Sequence, residues 1–241
     1  MDLTIVIPTW NEAGNIEKTL AQTAGVLDKA GISYEILVMD DQSKDQTGDI
    51  VRRFSGKNPA VRLVVREPPA GFGYSIRDGI KMAKGESVVV MMADLSDDPA
   101  FLPRMLDGIR EGCDVVVGSR FLKGSKIFNY PLPKYISNRL FNISVQLCFL
   151  TGINDTSNAF KMFRTRLVQS IPIESRGFTV SAEMMLRMKA AGHTVCQIPV
   201  TWTDRMEGMA KFRLRNTFYN YFLLLLKMAK LAYIDSVFKG R

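Results

Sequence analysis

The chain has 241 residues, of which 46% are apolar and 23% are charged, a composition that excludes a disordered or low-complexity protein. Residues 1–120 hold 14 Lys and Arg against 18 Asp and Glu, whereas residues 121–241 hold 18 against 6. The basic second half predicts an anionic partner, either nucleic acid or a membrane surface. The membrane surface is favoured, because an amphipathic C-terminal segment explains the positive charge better.

The first half of the chain alternates short apolar runs with segments of helical periodicity. Strands are predicted over 3–7, 35–39, 61–66, 87–92 and 114–118, and helices over 15–30, 46–55, 74–83 and 99–111. This alternation predicts a doubly wound, mainly parallel α/β sheet. Ligands of such sheets bind beyond the carboxyl ends of the strands.

Acidic loops follow three of these strands. Glu12 comes after the first strand, Asp40 and Asp41 end the second, and Asp94 follows the 87–92 strand. Because carboxyl ends of parallel strands meet at one sheet edge, we expect these side chains to face one crevice. Carboxylates in a ligand crevice predict a hard divalent cation and a substrate that carries phosphate.

Three other residues with reactive or metal-binding side chains have structural interpretations. Asp45 and Asp98 are interpreted as caps of the helices that follow them. His193, the only histidine, follows Gly192 and is expected at the C-terminal end of a helix, outside the catalytic site.

The cysteines predict no metal site. Cys113, Cys148 and Cys196 lie far apart without metal-ligand spacing, and we expect buried, reduced thiols of a cytosolic protein. The chain opens on a predicted strand, so no signal peptide is expected.

The C-terminal part carries a long helical pattern over 216–238. On a helical wheel Phe218, Phe222, Leu225 and Ala229 share one face. A central Lys costs about 2.5–3.5 kcal/mol on membrane-insertion scales, and Lys227 and Lys230 interrupt this segment, so no membrane span is predicted. Two interpretations stay open: a helix packed on the core, or an amphipathic helix in the membrane interface.

Several short motifs resemble those of the family 2 glycosyltransferases, which have the GT-A fold. They are Ile7-Pro8-Thr9-Trp10-Asn11-Glu12, Asp40-Asp41-x-Ser43-x-Asp45-x-Thr47, Gly118-Ser119-Arg120-Phe121, the 155–161 stretch, and Arg205-x-x-Gly208-x-Ala210-Lys211. Together they are similar to the polyprenyl-phosphate branch, which includes the dolichol-phosphate mannose synthases. The resemblance implies a glycosyltransferase domain over 1–213, followed by an amphipathic helix over 214–241 that could lie at a membrane interface.

The resemblance also implies roles for individual residues. The nucleoside would be held by Pro8, Trp10, Glu12, Val38 and Asp40. The diphosphate and a Mg²⁺ or Mn²⁺ ion would lie at Ala93, Asp94 and Ser96, with Asp94 and Ser96 as metal ligands. The donor diphosphate or the lipid phosphate would contact Arg120, Arg205 and Lys211. The residues expected to be catalytic are Asp94, Arg120 and Arg205.

The chain departs from the family pattern in the acidic loop. Met92 stands where the family usually has a carboxylate, and Ser96 stands where it has an amide. Metal affinity would then be weaker, or Asp97 would supply a replacement. Trp10 replaces the usual tyrosine and keeps the stacking surface while losing the hydroxyl.

The resemblance implies inverting transfer of a hexose, with GDP-mannose as the first choice of donor, to polyprenyl phosphate at the cytoplasmic membrane face. The enzyme would be peripheral there and would not bind nucleic acid, and a separate membrane-anchoring subunit is left open. A lipid phosphate is largely a dianion at neutral pH and needs no strong base. With a sugar hydroxyl as acceptor, Asp97 or Asp98 would be the base. Two alternatives stay open: a UDP-sugar enzyme, and a weakened nucleotide-sugar-binding subunit suggested by Met92.

Overall fold

The structure is a computed structural model that describes residues 1–204 and 219–230. Its strands are β1 (Leu3–Thr9), β2 (Tyr34–Asp40), β3 (Val61–Val65), β4 (Ser87–Val90), β5 (Val115–Ser119), β6 (Lys126–Phe128), β7 (Lys161–Arg164), β8 (Val195–Pro199) and β9 (Thr201–Thr203). Seven of them form one sheet in the order β3-β2-β1-β4-β7-β5-β8, and β6 pairs with β9. The mainly parallel α/β sheet predicted from the sequence is confirmed.

Helices cover both faces of this sheet. They are α1 (Ile16–Lys29), α2 (Thr47–Ser55), α3 (Phe72–Met82), α4 (Leu102–Arg110), α5 (Leu132–Phe149), α6 (Thr165–Ser170) and α7 (Val180–Ala190), and a further helix covers 219–230. A 3₁₀ turn at Pro99–Phe101 leads into α4. The predicted helices and strands of the first half therefore lie where the periodicity put them, within a few residues at each end.

The period of two along β1 divides its apolar side chains between two cores. Ile5 and Ile7 belong to the cluster that includes Leu20 of α1, whereas Val6 belongs to the cluster that includes Ile76 of α3. Gly79 of α3 lies so close to the sheet that a Cβ there would come within 2.4 Å of a methyl carbon of Val6. A strand buried on both faces carries mainly apolar residues on both, which is why β1 is a nearly continuous apolar run.

Strand direction decides where the loops meet. β1 pairs in parallel with β2 and β4, and β5 pairs in parallel with β8. β7 is antiparallel to both β4 and β5, so these two strands point the same way. The carboxyl ends of β1, β2, β4 and β5 consequently lie along one edge, with the start of β7 between the last two.

The 219–230 helix packs on the core through a face that the sequence pattern did not select. Tyr221, Leu224 and Met228 are buried in a cluster with side chains of α5 and α7, whereas Phe222 is 51% exposed. The helix is apolar on two adjoining sides, and the wheel identified only one of them. None of the helices in the described part of the chain is long and apolar enough to cross a membrane.

The cysteine expectation was wrong. Cys113 and Cys196 form a disulfide with Cα atoms 5.9 Å apart, and Cys148 is exposed. The two bonded residues are 83 positions apart in sequence, and pairing of β5 with β8 brings them together. Spacing along the chain gives no sign of such a contact, because it depends on the order of the strands.

Loss of this disulfide should lower the stability of the fold. We expect Cys196→Ser to reduce the free energy of unfolding by about 2–4 kcal/mol, because the bond restricts the unfolded chain over a long loop. Urea unfolding measures this change, with Cys148→Ser as the matched control that should have no effect. Equal stability with and without reductant, or three titratable thiols in the unreduced protein, would contradict the assignment.

Candidate functional site

A cavity of about 340 Å³ lies at the carboxyl edge of the sheet. Its lining residues are Pro8, Thr9, Trp10, Glu12, Asp41, Ala70, Gly71, Phe72, Ser75 and Phe178. Three of the predicted nucleoside residues, Pro8, Trp10 and Glu12, are thus brought together. The aromatic side chains offer faces on which a flat ring could stack.

Asp41 shapes this cavity through an ion pair beneath its wall. Its carboxylate contacts the buried Arg66 guanidinium, which also pairs with Asp78 at 2.6 Å. The second oxygen of Asp41 accepts a hydrogen bond of 2.8 Å from the backbone N–H of Gly71. Asp41 therefore holds the 69–71 loop in place, which orders one side of the cavity.

Two predicted nucleoside residues lie outside the cavity lining. Asp40 is buried, and its carboxylate accepts hydrogen bonds from the N–H and hydroxyl of Ser43. Val38 is fully buried within the core cluster on the α1 side of the sheet. Contact of Asp40 and Val38 with a nucleoside stays a prediction. The Val38 side chain packs entirely within the core.

The acidic loop after β4 is fixed from two sides. Thr19 of α1 donates a 2.7 Å hydrogen bond to the carbonyl of Ala93, and the N–H of Thr203 donates to the carbonyl of Ser96 at 3.1 Å. The Asp94 carboxylate accepts from the N–H of Ser96 at 3.1 Å and stays partly exposed. These bonds hold Ala93, Asp94 and Ser96 in one rigid turn beside β1.

The same loop has donors that fit a divalent cation. Asp97 is 1% exposed, and its Oδ1 is a buried acceptor without a hydrogen-bond partner. Burial, together with the negative charge of Asp94, raises the pKa of Asp97 to about 7, so these carboxyls repel each other. In residues 1–204 and 219–230 no three His, Cys, Asp or Glu side chains could hold an ion together. The loop fits Mg²⁺ or Mn²⁺ bound by one or two carboxylates and completed by phosphate oxygens.

Arg120 directly follows β5 and is held by Asp155, from the loop before β7. Its Nε and Nη2 donate to the two carboxylate oxygens at 2.7 and 2.8 Å, and Nη2 also donates to Ser157 at 3.1 Å. Burial alone would raise the pKa of Asp155, but the Arg120 charge and hydrogen bonds lower it below its ordinary value. The rings of Tyr130 and Trp202 lie within 6 Å of the guanidinium carbon, so Arg120 is fixed in position and direction.

Lys161, the first residue of β7, adds a second buried cation. Its ammonium donates to the carbonyls of Thr156 and Asn158 and has no exposure. Burial lowers the pKa of Lys161 to about 7 against the opposing charge of Asp155. Asp97, Arg120, Asp155 and Lys161 therefore form one buried cluster of ionisable groups behind the acidic loop.

Sequence reasoning missed several of these contacts. The 155–161 motif carried no role beyond the resemblance, and the pairing of Asp155 with Arg120 needs β7 to lie between β4 and β5. Phe72 and Phe178 follow no recognisable pattern. The predicted phosphate-binding residues Arg205 and Lys211 lie outside the described residues.

The interpretation of Asp98 as a cap is confirmed, because it is the N-cap of the 3₁₀ turn and accepts from the N–H of Ala100. Asp45 accepts from the N–H groups of Thr47 and Ala13, whereas the N-cap position of α2 is Gln46. His193 follows α7 and precedes β8, so it lies at the edge of the sheet away from the cavity.

A family model described as "Glycosyl transferase family 2" matches residues 4–171 of the chain. The chain belongs to glycosyl transferase family 2. Two curated relatives are similar along most of the chain. A dolichol-phosphate mannosyltransferase from Pyrococcus furiosus is 30% identical over 232 residues, which cover 95% of this chain and 64% of that relative. A polyprenol monophosphomannose synthase from Mycolicibacterium smegmatis is 29% identical over 214 residues, which cover 86% of this chain and 79% of that relative.

The chain thus spans less than two thirds of the length of the Pyrococcus relative. Among solved structures, glucosyl-3-phosphoglycerate synthase from Mycobacterium tuberculosis, crystallised with Mn²⁺, uridine diphosphate and phosphoglyceric acid, superimposes with a TM-score of 0.72. It is 18% identical, and the match covers 95% of this chain and 78% of that one. At this identity the likeness concerns the fold, and it agrees with a GT-A arrangement for this glycosyl transferase family 2 member.

Proposed function

We propose that this glycosyl transferase family 2 member moves a hexose, with mannose from GDP-mannose as first choice, onto the phosphate of a polyprenyl or dolichyl phosphate. One observation carries the proposal: the cavity lined by Pro8, Trp10 and Glu12 opens at the sheet edge where Asp94 and Arg120 also lie. The relatives named as polyprenyl-phosphate mannosyltransferases support the choice of sugar and acceptor.

In this proposal the donor lies along the carboxyl edge from β2 towards β5. Trp10, 47% exposed, stacks on the nucleoside base, and Glu12 and Asp40 accept hydrogen bonds from nucleoside hydroxyl or N–H groups. Asp94 and Ser96 would hold Mg²⁺ or Mn²⁺, with Ala93 at the diphosphate. Such an ion would offset the charge of the diphosphate and so make the nucleotide a better leaving group.

The acceptor phosphate approaches from the side of Arg120. The Arg120 guanidinium, which Asp155 holds in place, supplies positive charge close to the reacting phosphates. Arg205 and Lys211 add further phosphate contacts. The phosphate of the lipid attacks the anomeric carbon directly, which inverts that centre and requires no strong base. The protein contributes alignment, charge stabilisation and exclusion of water.

The lipid side of the proposal rests on exposed apolar side chains of α5 and the 219–230 helix. Leu140 and Leu147 of α5 are 57% and 74% exposed, and Phe222 and Leu226 are 51% and 53% exposed. Exposed apolar groups of this size favour contact with a membrane surface, and the basic second half favours anionic lipids. The enzyme would then be peripheral on the cytoplasmic membrane face.

A second candidate keeps the reaction class but uses a UDP-sugar. It is favoured by the superposition on an enzyme crystallised with uridine diphosphate. The two donors differ in the size of the base that has to enter the cavity.

A transfer assay separates the candidates. The protein is incubated with Mn²⁺, short-chain polyprenyl phosphate and either GDP-mannose or UDP-glucose, and the glycolipid is measured. Product with GDP-mannose alone is expected, and product with UDP-glucose alone would replace the first candidate by the second. Nucleotide binding without product from any donor would contradict both, and would indicate a binding subunit.

A further inference from the structure

One wall of the 340 Å³ cavity comes from a loop with no part in the proposed chemistry. Phe178 lines the cavity, and its ring lies against that of Phe72 with centroids 4.8 Å apart. Phe178 belongs to residues 174–178, between α6 and α7, which we call the wall loop. The position of this loop therefore decides the width of the cavity.

Two elements of the core hold the wall loop from beneath. The N–H of Gly73 in α3 donates to the carbonyl of Arg176 at 2.9 Å, and a Cβ on Gly73 would lie 2.2 Å from the carbonyl oxygen of Ser175. Glu183 of α7 is fully buried and accepts from the N–H groups of Ser175 and Glu174 at 2.6 and 3.1 Å. A glycine is needed at 73 because the loop backbone packs directly on the helix.

The 219–230 helix holds the wall loop from the other side. The Tyr221 hydroxyl donates to the carbonyl of Phe178 at 3.4 Å, and Lys227 pairs with Glu174 at 2.6 Å. Glu174 also pairs with Arg187 of α7 at 2.7 Å. A second cavity, of about 400 Å³, lies between the loop and the helix, so the helix contacts the loop at separate points.

We propose that Tyr221 and Lys227 are positioning residues for donor binding. By holding the wall loop, they keep Phe178 against Phe72 and so keep the nucleoside side of the cavity closed. This inference rests on the proposed function, because it takes the cavity to bind the nucleoside. The 219–230 helix would then link its exposed apolar surface, at Phe222 and Leu226, to the donor cavity, because the same helix sets the geometry of that cavity.

Charge reversal at Lys227 tests the inference. Lys227→Glu places two carboxylates together and should raise the Kd of GDP, or of UDP if that nucleotide binds, about three- to fivefold in titration calorimetry with Mn²⁺. Lys230→Glu makes the same charge change on the same helix and should alter Kd less than about twofold. Lys227→Arg keeps the positive charge and should retain the wild-type Kd. Across these variants the donor KM should change in proportion to Kd, while kcat stays unchanged.

The route through Phe178 is tested separately. In a Phe178→Ala background Lys227→Glu should have no further effect on nucleotide affinity, because the group that the loop positions is gone. The inference would be overturned if Lys227→Glu and Lys230→Glu bound the nucleotide with equal affinity. It would also be overturned if Lys227→Glu weakened nucleotide binding as much in the Phe178→Ala background as in the wild type. Either result would leave the proposed function standing. Failure of the wild-type chain to bind either nucleotide would overturn both.

Discussion

Replacing Asp94 by alanine is expected to abolish sugar transfer. Asp94 is the partly exposed carboxylate of the rigid turn after β4, and within the described residues no group of three metal-binding side chains could take its place. Loss of this ligand removes the charge stabilisation of the leaving diphosphate, and we expect kcat/KM to fall about a thousandfold or more. The fold should persist, because the Asp94 charge repels Asp97.

Transfer rates and nucleotide binding together measure this effect. The Kd of the nucleoside diphosphate should depend on Mn²⁺ in the wild-type protein and lose that dependence in Asp94→Ala. Asp98→Asn is the matched control, since Asp98 lies in the same loop and caps the 3₁₀ turn. Near-normal turnover by Asp94→Ala would remove the metal assignment, and equal losses in both variants would indicate a general disturbance of the loop.

Replacing Asp155 by asparagine should cause the largest loss of stability. The Asp155 carboxylate is fully buried and accepts hydrogen bonds from Nε and Nη2 of Arg120, so asparagine leaves the buried guanidinium without its ion-pair partner. Breaking one partner of such a buried pair costs about 3–5 kcal/mol. Urea denaturation at pH 7 measures the change in the free energy of unfolding.

An exposed ion pair supplies the control. Asp49 pairs with Arg52 at 2.8 Å, and both side chains are more than half exposed, so Asp49→Asn should change stability by less than about 1 kcal/mol. If Asp155→Asn proved as mild as Asp49→Asn, Arg120 would not depend on Asp155. Transfer activity at a temperature where the variant stays folded then shows whether the direction of Arg120 matters for phosphate contact.

The elements of the first half could be predicted because their signals are local. β1 and β2 are mainly apolar runs, and α1 places an apolar residue at each turn, so each element follows from a stretch of fewer than twenty residues. The meeting of the loops that follow these strands could also be predicted, since successive parallel strands place their carboxyl ends at one edge of the sheet. Glu12 and Asp94 could therefore be assigned to one edge before any coordinates.

The charge cluster around Arg120 could not be predicted in this way. β7 has four residues, begins with a lysine and runs antiparallel between two parallel strands, and no periodic pattern marks such a strand. The contact between Asp155 and Arg120 depends on the position of β7 in the sheet, so it could not be predicted from the sequence without placing that strand. The 219–230 helix is a similar case. It is apolar on two sides, so its sequence periodicity does not identify which side packs on the core.

The sequence by itself determined the class of fold, the order of the first strands and helices, and the acidic residues at their ends. These depend on the chemistry of neighbouring residues and on the handedness of β/α connections. Only the tertiary structure decided the Cys113–Cys196 bond, the buried partner of Arg120 and the closing of the cavity by Phe178. Each of these joins segments far apart in the chain, and their contact energies depend on strand order and helix packing, which local sequence does not encode.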